Sequence, residues 1–226
     1  MTTDIDDILG VQQSPQREAR NKQSSIPLQG TPPPFYVRRP TRRAFINALR
    51  VKSAAEALTG LPAEGETWHG IMTGDYDSFD LVPTMLDHAR PAVIDALHLA
   101  TLGFNQANTH SLLKLMDTGK VRRCTMIVSL FYEADRREAD ICYTLARELP
   151  VRGVGGGWYC AARSHAKVIA ARFSDGRCFV IESSANLRTC RNLEQFAITH
   201  DAGLFDFHRQ WMESVYEHEN RRASRD

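Results

Sequence analysis

His165 and Lys167 stand two residues apart at the head of an apolar run, and the stretch after them carries Ser183, Ser184, Asn186 and Glu194. On a strand the two-residue period puts His165 and Lys167 on one face. The set supplies an imidazole, an ammonium, two hydroxyls, a carboxamide and a carboxylate. That inventory suits a phosphodiester. Lys167 and Asn186 can hold the non-bridging oxygens, Ser184 adds a donor with Ser183 beside it as a substrate contact, and Glu194 can fix an imidazole tautomer. A solitary histidine on a strand is most often structural. An unpaired ammonium is costly to bury, so the pair read together with the Ser-Ser-Ala-Asn element points to a site.

The elements that must position these groups are read from hydrophobic periodicity. Residues 1–34, rich in Gln, Ser and Pro, read as a disordered tail. Within it Ile5, Ile8 and Leu9 have helical spacing, which allows a protein-docking segment. Residues 35–65 read as a basic helical extension, with a helix from Arg42 to Leu58 capped by Thr41 and closed by Gly60. Residues 66–218 read as one domain and 219–226 as a frayed end. In that domain strands are expected at Trp68–Thr73, Ala92–Leu102 and Arg122–Phe131, and helices at Leu81–Ala89, Asn108–Thr118 and Ala134–Leu149. The alternation predicts a mainly parallel sheet with helices on both faces. A hairpin follows, with strands His165–Phe173 and Arg177–Glu182 about Ser174-Asp175-Gly176. Phe196–Thr199 and Leu204–Tyr216 supply a last strand and helix.

Two further places invite ligand readings. Asn105 and His110 lie where a buried strand opens into a helix, a usual ligand position in parallel sheets, and both are candidates for substrate contact. Capping by Asn108 or Thr109 explains the same residues equally well. The glycines before Trp158 and Tyr159 read as a flexible linker, or as an opening where one aromatic ring stacks on a base.

The run from Ser164 to Phe196 resembles the phospholipase D superfamily. That family's motif is His-x-Lys, four residues and Asp, then Gly/Ser-Ser-x-Asn, with a Glu shortly after. This chain gives His165-Ala166-Lys167, then Ser183-Ser184-Ala185-Asn186, then Glu194. The resemblance covers roughly residues 66 to 216. It implies an α-β-α sandwich around a mixed central sheet, and hydrolysis of a phosphodiester through a phosphohistidine, with no metal and no cofactor. Arg172 departs from the pattern, standing where the family has Asp. The family site needs two histidines, and neither His69 nor His98 is followed by the lysine, so the resemblance implies a homodimer that shares one site.

Bulk properties narrow the class. The chain has 226 residues, 42% of them hydrophobic, and a net charge of +1. Polyanion binding must therefore come from local clusters such as Arg38, Arg39, Arg42, Arg43 and Arg50, or Arg122 and Arg123. No run approaches a membrane span and no secretory leader is visible. The five cysteines lack metal or redox spacing and read as free thiols of a cytoplasmic protein. The reading is a nuclease acting on nucleic acid, DNA ahead of RNA. Arg172 and the tail motivate a different class, a catalytically impaired DNA-binding or scaffold protein.

Overall fold

The computed structural model describes residues 53–135, 137–188 and 192–223, together with the backbone of one strand at 42–46. The tail, its Ile5-Ile8-Leu9 segment, Arg38, Arg39, Arg50 and Cys190 lie outside the described residues. Eight strands are β1 (Arg42–Ile46), β2 (Glu66–Met72), β3 (Ile94–Thr101), β4 (Cys124–Ser129), β5 (Trp158–Ala162), β6 (Val168–Phe173), β7 (Cys178–Ser183) and β8 (Glu194–His200). They form one sheet in the order β1-β2-β8-β7-β6-β3-β4-β5. Helices are α1 (Ala54–Ala57), α2 (Leu81–Ala89), α3 (Gln106–Asp117), α4 (Leu130–Glu133), α5 (Ala139–Glu148) and α6 (Ala202–Ala223).

The sheet is mixed, as expected, but parallel pairing is not in the majority. The β1–β2, β3–β4 and β4–β5 pairs are parallel. The other four neighbours are antiparallel, because the final hairpin and β8 enter the middle of the sheet. The helix expected over Arg42–Leu58 is also corrected. Arg42–Ile46 is a strand along β2, and among the described residues of that stretch the helix is Ala54–Ala57, where the Ser53 hydroxyl caps the Glu56 amide. Among the described residues no helix is long and apolar enough to cross a membrane.

The two faces of the sheet carry different side chains. Leu97, Leu99, Ile169, Phe173, Phe179 and Ile181 pack toward α2, α3 and α5. Ala100, Ala170, Cys178 and Val180 meet Phe205, Met212 and Val215 of α6. Large groups fill the first gap and small ones let α6 lie close in the second, which gives three layers from period-two alternation. Asp201 starts α6, its carboxylate accepting from the amides of Gly203 and Leu204. The helix runs past the expected end at Tyr216.

The glycine run before β5 is not a loose linker. Gly153 has φ of 73°, and a Cβ there would fall 2.0 Å from the Arg122 carbonyl oxygen; at Gly157 one would fall 1.9 Å from that of Cys124. The connection is pressed against the entry to β4, and only glycine fits. Trp158 is buried and stacked on Tyr216, with ring centroids 4.4 Å apart, so it offers no face to a base. Cys124, Cys142, Cys160 and Cys178 are free and buried.

His98, on β3 under α6, is 1% exposed. Its Nδ1 lies 2.6 Å from the Thr125 hydroxyl, and its Nε2 has no partner among the described residues. Burial, reinforced by Arg123, Arg209 and Arg172, lowers its pKa to about 3 from 6.5. The unfolded chain therefore binds more protons than the folded one between those values, and stability falls as pH drops below 6.5. From pH 7 to pH 5 this single group removes about 2 kcal/mol. Urea unfolding at the two pH values should show that loss in the wild type and a clearly shallower one in His98→Leu. An unchanged slope in the variant assigns the acid sensitivity elsewhere.

Candidate active site

His165 and Lys167 are not on a strand. They lie in the extended segment between β5 and β6, and β6 begins only at Val168. The shared face expected from strand geometry is replaced by direct contact. The Lys167 ammonium is 2.8 Å from both His165 Nδ1 and the His165 carbonyl oxygen. Partial burial lowers the Lys167 pKa, and the nearby Glu194 carboxylate opposes that shift. With Lys167 donating to Nδ1, a neutral imidazole carries its proton on Nε2, the nitrogen left to face a substrate.

The hairpin brings in the second half of the set. The Ser174-Asp175-Gly176 turn forms as expected, with Gly176 at φ of 88°, and Val168 pairs with Glu182. One step further the Ser183 amide donates to the Lys167 carbonyl at 3.2 Å. The Ser183 hydroxyl donates to Gln195 O and accepts from the Ala185 amide, both at 2.9 Å. The Ser184 hydroxyl donates to Glu194 Oε2 and accepts from the Gln195 amide. Glu194, the first residue of β8, thus reaches the cluster from a third strand. Asn186 Oδ1 is buried without a hydrogen-bond partner among the described residues, an uncommon and costly state for a carboxamide.

A scaffold under this loop places Asn105 and His110. The Leu187 amide donates to Thr101 Oγ1 at the end of β3, and Leu187 O accepts from Asn108 Nδ2 at 2.9 Å. Asp77 Oδ2 accepts from both Asn105 Nδ2 and Asn108 Nδ2 at 2.7 Å. Asn105 also caps α3 through the Asn108 amide, so both ends of its carboxamide are engaged. His110 is exposed on α3 and meets Gln106 at 3.0 Å. Neither touches His165 or Lys167. Asp77 escaped sequence reading, although Asp77-Ser78-Phe79-Asp80 has capping-box spacing and Asp80 does accept from the Asp77 amide.

Arg172 sits five residues along β6 from Lys167, roughly 16 Å away at strand rise. Its guanidinium pairs with Asp206 at 2.8 Å and lies over the Phe205 ring. Asp175 pairs with Arg177 in the turn, and Glu182 accepts from His208, which holds its carboxyl below the ordinary range. None of these three is a carboxylate or cation for the His165 cluster. Arg122 pairs with Asp95, which offsets part of the basic character expected there.

Two concavities flank the cluster. An open groove of about 790 Å³ is lined by His69, Ile71, Glu182, Ser183, Ser184 and Gln195. A second, of about 530 Å³, is lined by Leu130, Phe131, Ala134, Arg163, Ser164 and His165. Among the described residues no three His, Cys, Asp or Glu side chains gather to hold a metal ion.

No protein-family model and no curated protein matches the chain. Several solved structures overlap part of it, three of them as follows. One is a polyphosphate kinase from Porphyromonas gingivalis, 14% identical over 63% of this chain and 25% of that one, with a TM-score of 0.44. A yeast tyrosyl-DNA phosphodiesterase mutant is 14% identical over 58% and 31%, at 0.36. The phosphatidylserine synthase of Haemophilus influenzae is 16% identical over 67% and 39%, at 0.41. All three are phospholipase D superfamily members. The chain spans between 25% and 39% of the length of these proteins.

The Asn108 side-chain Nδ2, donating to Leu187 O, ties α3 to the loop carrying Asn186. Asn108→Ala leaves Leu187 O short of a buried partner and should cost about 1–3 kcal/mol in urea unfolding. A change below about 0.5 kcal/mol would show that the loop is held elsewhere.

Proposed function

We propose that the chain is half of a metal-independent phospholipase D-type phosphodiesterase, a nuclease whose site is completed by a second copy. The observation that carries this reading is the 2.8 Å contact of Lys167 with His165, with Lys167 tied through its carbonyl to the Ser183 amide. The chain supplies that arrangement once, and the chemistry needs two imidazoles in opposite proton states.

A phosphate entering the cluster competes for the Lys167 ammonium. As Lys167 turns to a non-bridging oxygen, His165 Nδ1 is released to carry the ring proton, and Nε2 presents its lone pair. Nε2 attacks phosphorus, an N–P bond forms and the P–O bond to the leaving group breaks. In the other copy Lys167 turns to the phosphate likewise, and His165 enters as the imidazolium, protonated on both ring nitrogens; it gives its Nε2 proton to the leaving oxygen and becomes neutral. Water then attacks the phosphohistidine, the second imidazole takes the water's proton, and the N–P bond breaks. Ser184 and Asn186 stabilise the charge on the phosphoryl oxygens. Glu194, bonded to Ser184, balances the ammonium.

The competing reading is a scaffold that grips phosphate without cleaving it, and Arg172 is the observation favouring it. Its guanidinium is committed to Asp206 and Phe205 on α6. The substitution thus bears on helix docking, so the hydrolase reading is the stronger one.

Purified full-length protein should cleave labelled single- or double-stranded DNA in excess chelator. His165→Ala should lose on the order of 10³-fold or more of that activity, as expected for a nucleophile. The solution mass should be that of a dimer. DNA binding without cleavage under broad conditions selects the scaffold instead.

A further inference from the structure

β4 ends at Ser129, and its hydroxyl accepts from the Phe131 amide at 3.3 Å, starting the single turn α4. The two aromatic residues of that turn face opposite ways. Tyr132 is buried, and its hydroxyl donates to the Phe104 carbonyl oxygen. Phe131 is 83% exposed, more than any other large hydrophobic side chain described. A single exposed apolar residue is ordinary by itself. This one is held on a turn anchored in the core, and its ring shares a cavity with His165, Ser164 and Arg163. Leu130 and Ala134 complete the apolar side of that cavity.

We propose that this cavity is a base-binding subsite, in which the Phe131 ring stacks on an unpaired nucleobase next to the phosphate held by His165 and Lys167. The inference rests on the phosphodiesterase reading and gives it a substrate class, single-stranded nucleic acid. An apolar wall, a guanidinium and the reacting imidazole line one cavity, the kinds of group a nucleotide's base and phosphate call for. Stacking requires an exposed, immobile ring, and every base has a face to offer it. A paired base keeps its faces inside the duplex, so duplex DNA gains nothing from Phe131. The open volume fits one base with room for its sugar, and Arg163, on the same lining, can pair with a flanking phosphate.

The test compares wild type, Phe131→Ala and Phe131→Trp on fluorescent oligodeoxynucleotides: single-stranded, duplex, and single-stranded with abasic sites throughout. Binding is read by anisotropy and cleavage by gel. Phe131→Ala should weaken single-strand binding and raise KM roughly tenfold to a hundredfold, the range of one lost stacking contact. Phe131→Trp should restore both, and the abasic strand should be indifferent to all three. Equal losses on base-bearing and abasic strands overturn the subsite, as does no loss at all. A shift of Phe131→Ala from dimer to monomer overturns it too, by assigning the ring to an interface between copies. If Phe131-dependent binding persists but chelator-resistant cleavage is absent, the hydrolase reading fails and the subsite stands. Chelator-resistant cleavage that is indifferent to Phe131 upholds the hydrolase and removes the subsite.

Discussion

One backbone hydrogen bond ties the two halves of the site together, that of the Ser183 amide to the Lys167 carbonyl. It is the last rung beyond the β6–β7 pairing, and its register decides which residues meet. A slip by one residue would turn Phe179 and Ile181 from the large-residue core to the face under α6, and Val180 the other way. The aromatic packing of Phe173 on Phe179, 5.6 Å apart and edge to face, works against such a slip. The core thereby specifies the site: burial of apolar side chains fixes the pairing, and the pairing fixes where an ammonium meets a hydroxyl.

Much of this is legible in the sequence because it is local. The hairpin turn needs a residue tolerant of positive φ, and Gly176 supplies it in a short polar stretch. α2 and α3 follow from periodicity and from Gly119 just past the end of α3. The layered α/β class follows from the alternation of elements. What the sequence hides is long-range. Nothing local marks Arg42–Ile46 as a strand, since its partner β2 lies in a later element. Alternation of elements overstates parallel pairing because the order of strands in space is not their order in the chain. The glycines before β5 look slack because the carbonyls they press against belong to Arg122 and Cys124.

The site divides in the same way. The His165–Lys167 pair and the Ser-Ser-Ala-Asn element are visible as residue types at a spacing. Asp77 is not, because its role is to bind Asn105 and Asn108 on another element. Phe131 is hidden for another reason. A large apolar residue at the end of a strand reads as core, and only the change of direction at Ser129 turns it outward.

The segment from Ala162 to Val168 joins the edge strand β5 to the interior strand β6, passing over the ends of β4 and β3. Three strand spacings measure about 14 Å, and six peptide steps reach at most about 20 Å. The arm bearing the imidazole therefore has little spare length. Its outer end is anchored by a strand whose approach is wedged against backbone carbonyls at Gly153 and Gly157. His165 is exposed, yet it is confined as a cord is confined when drawn between two posts.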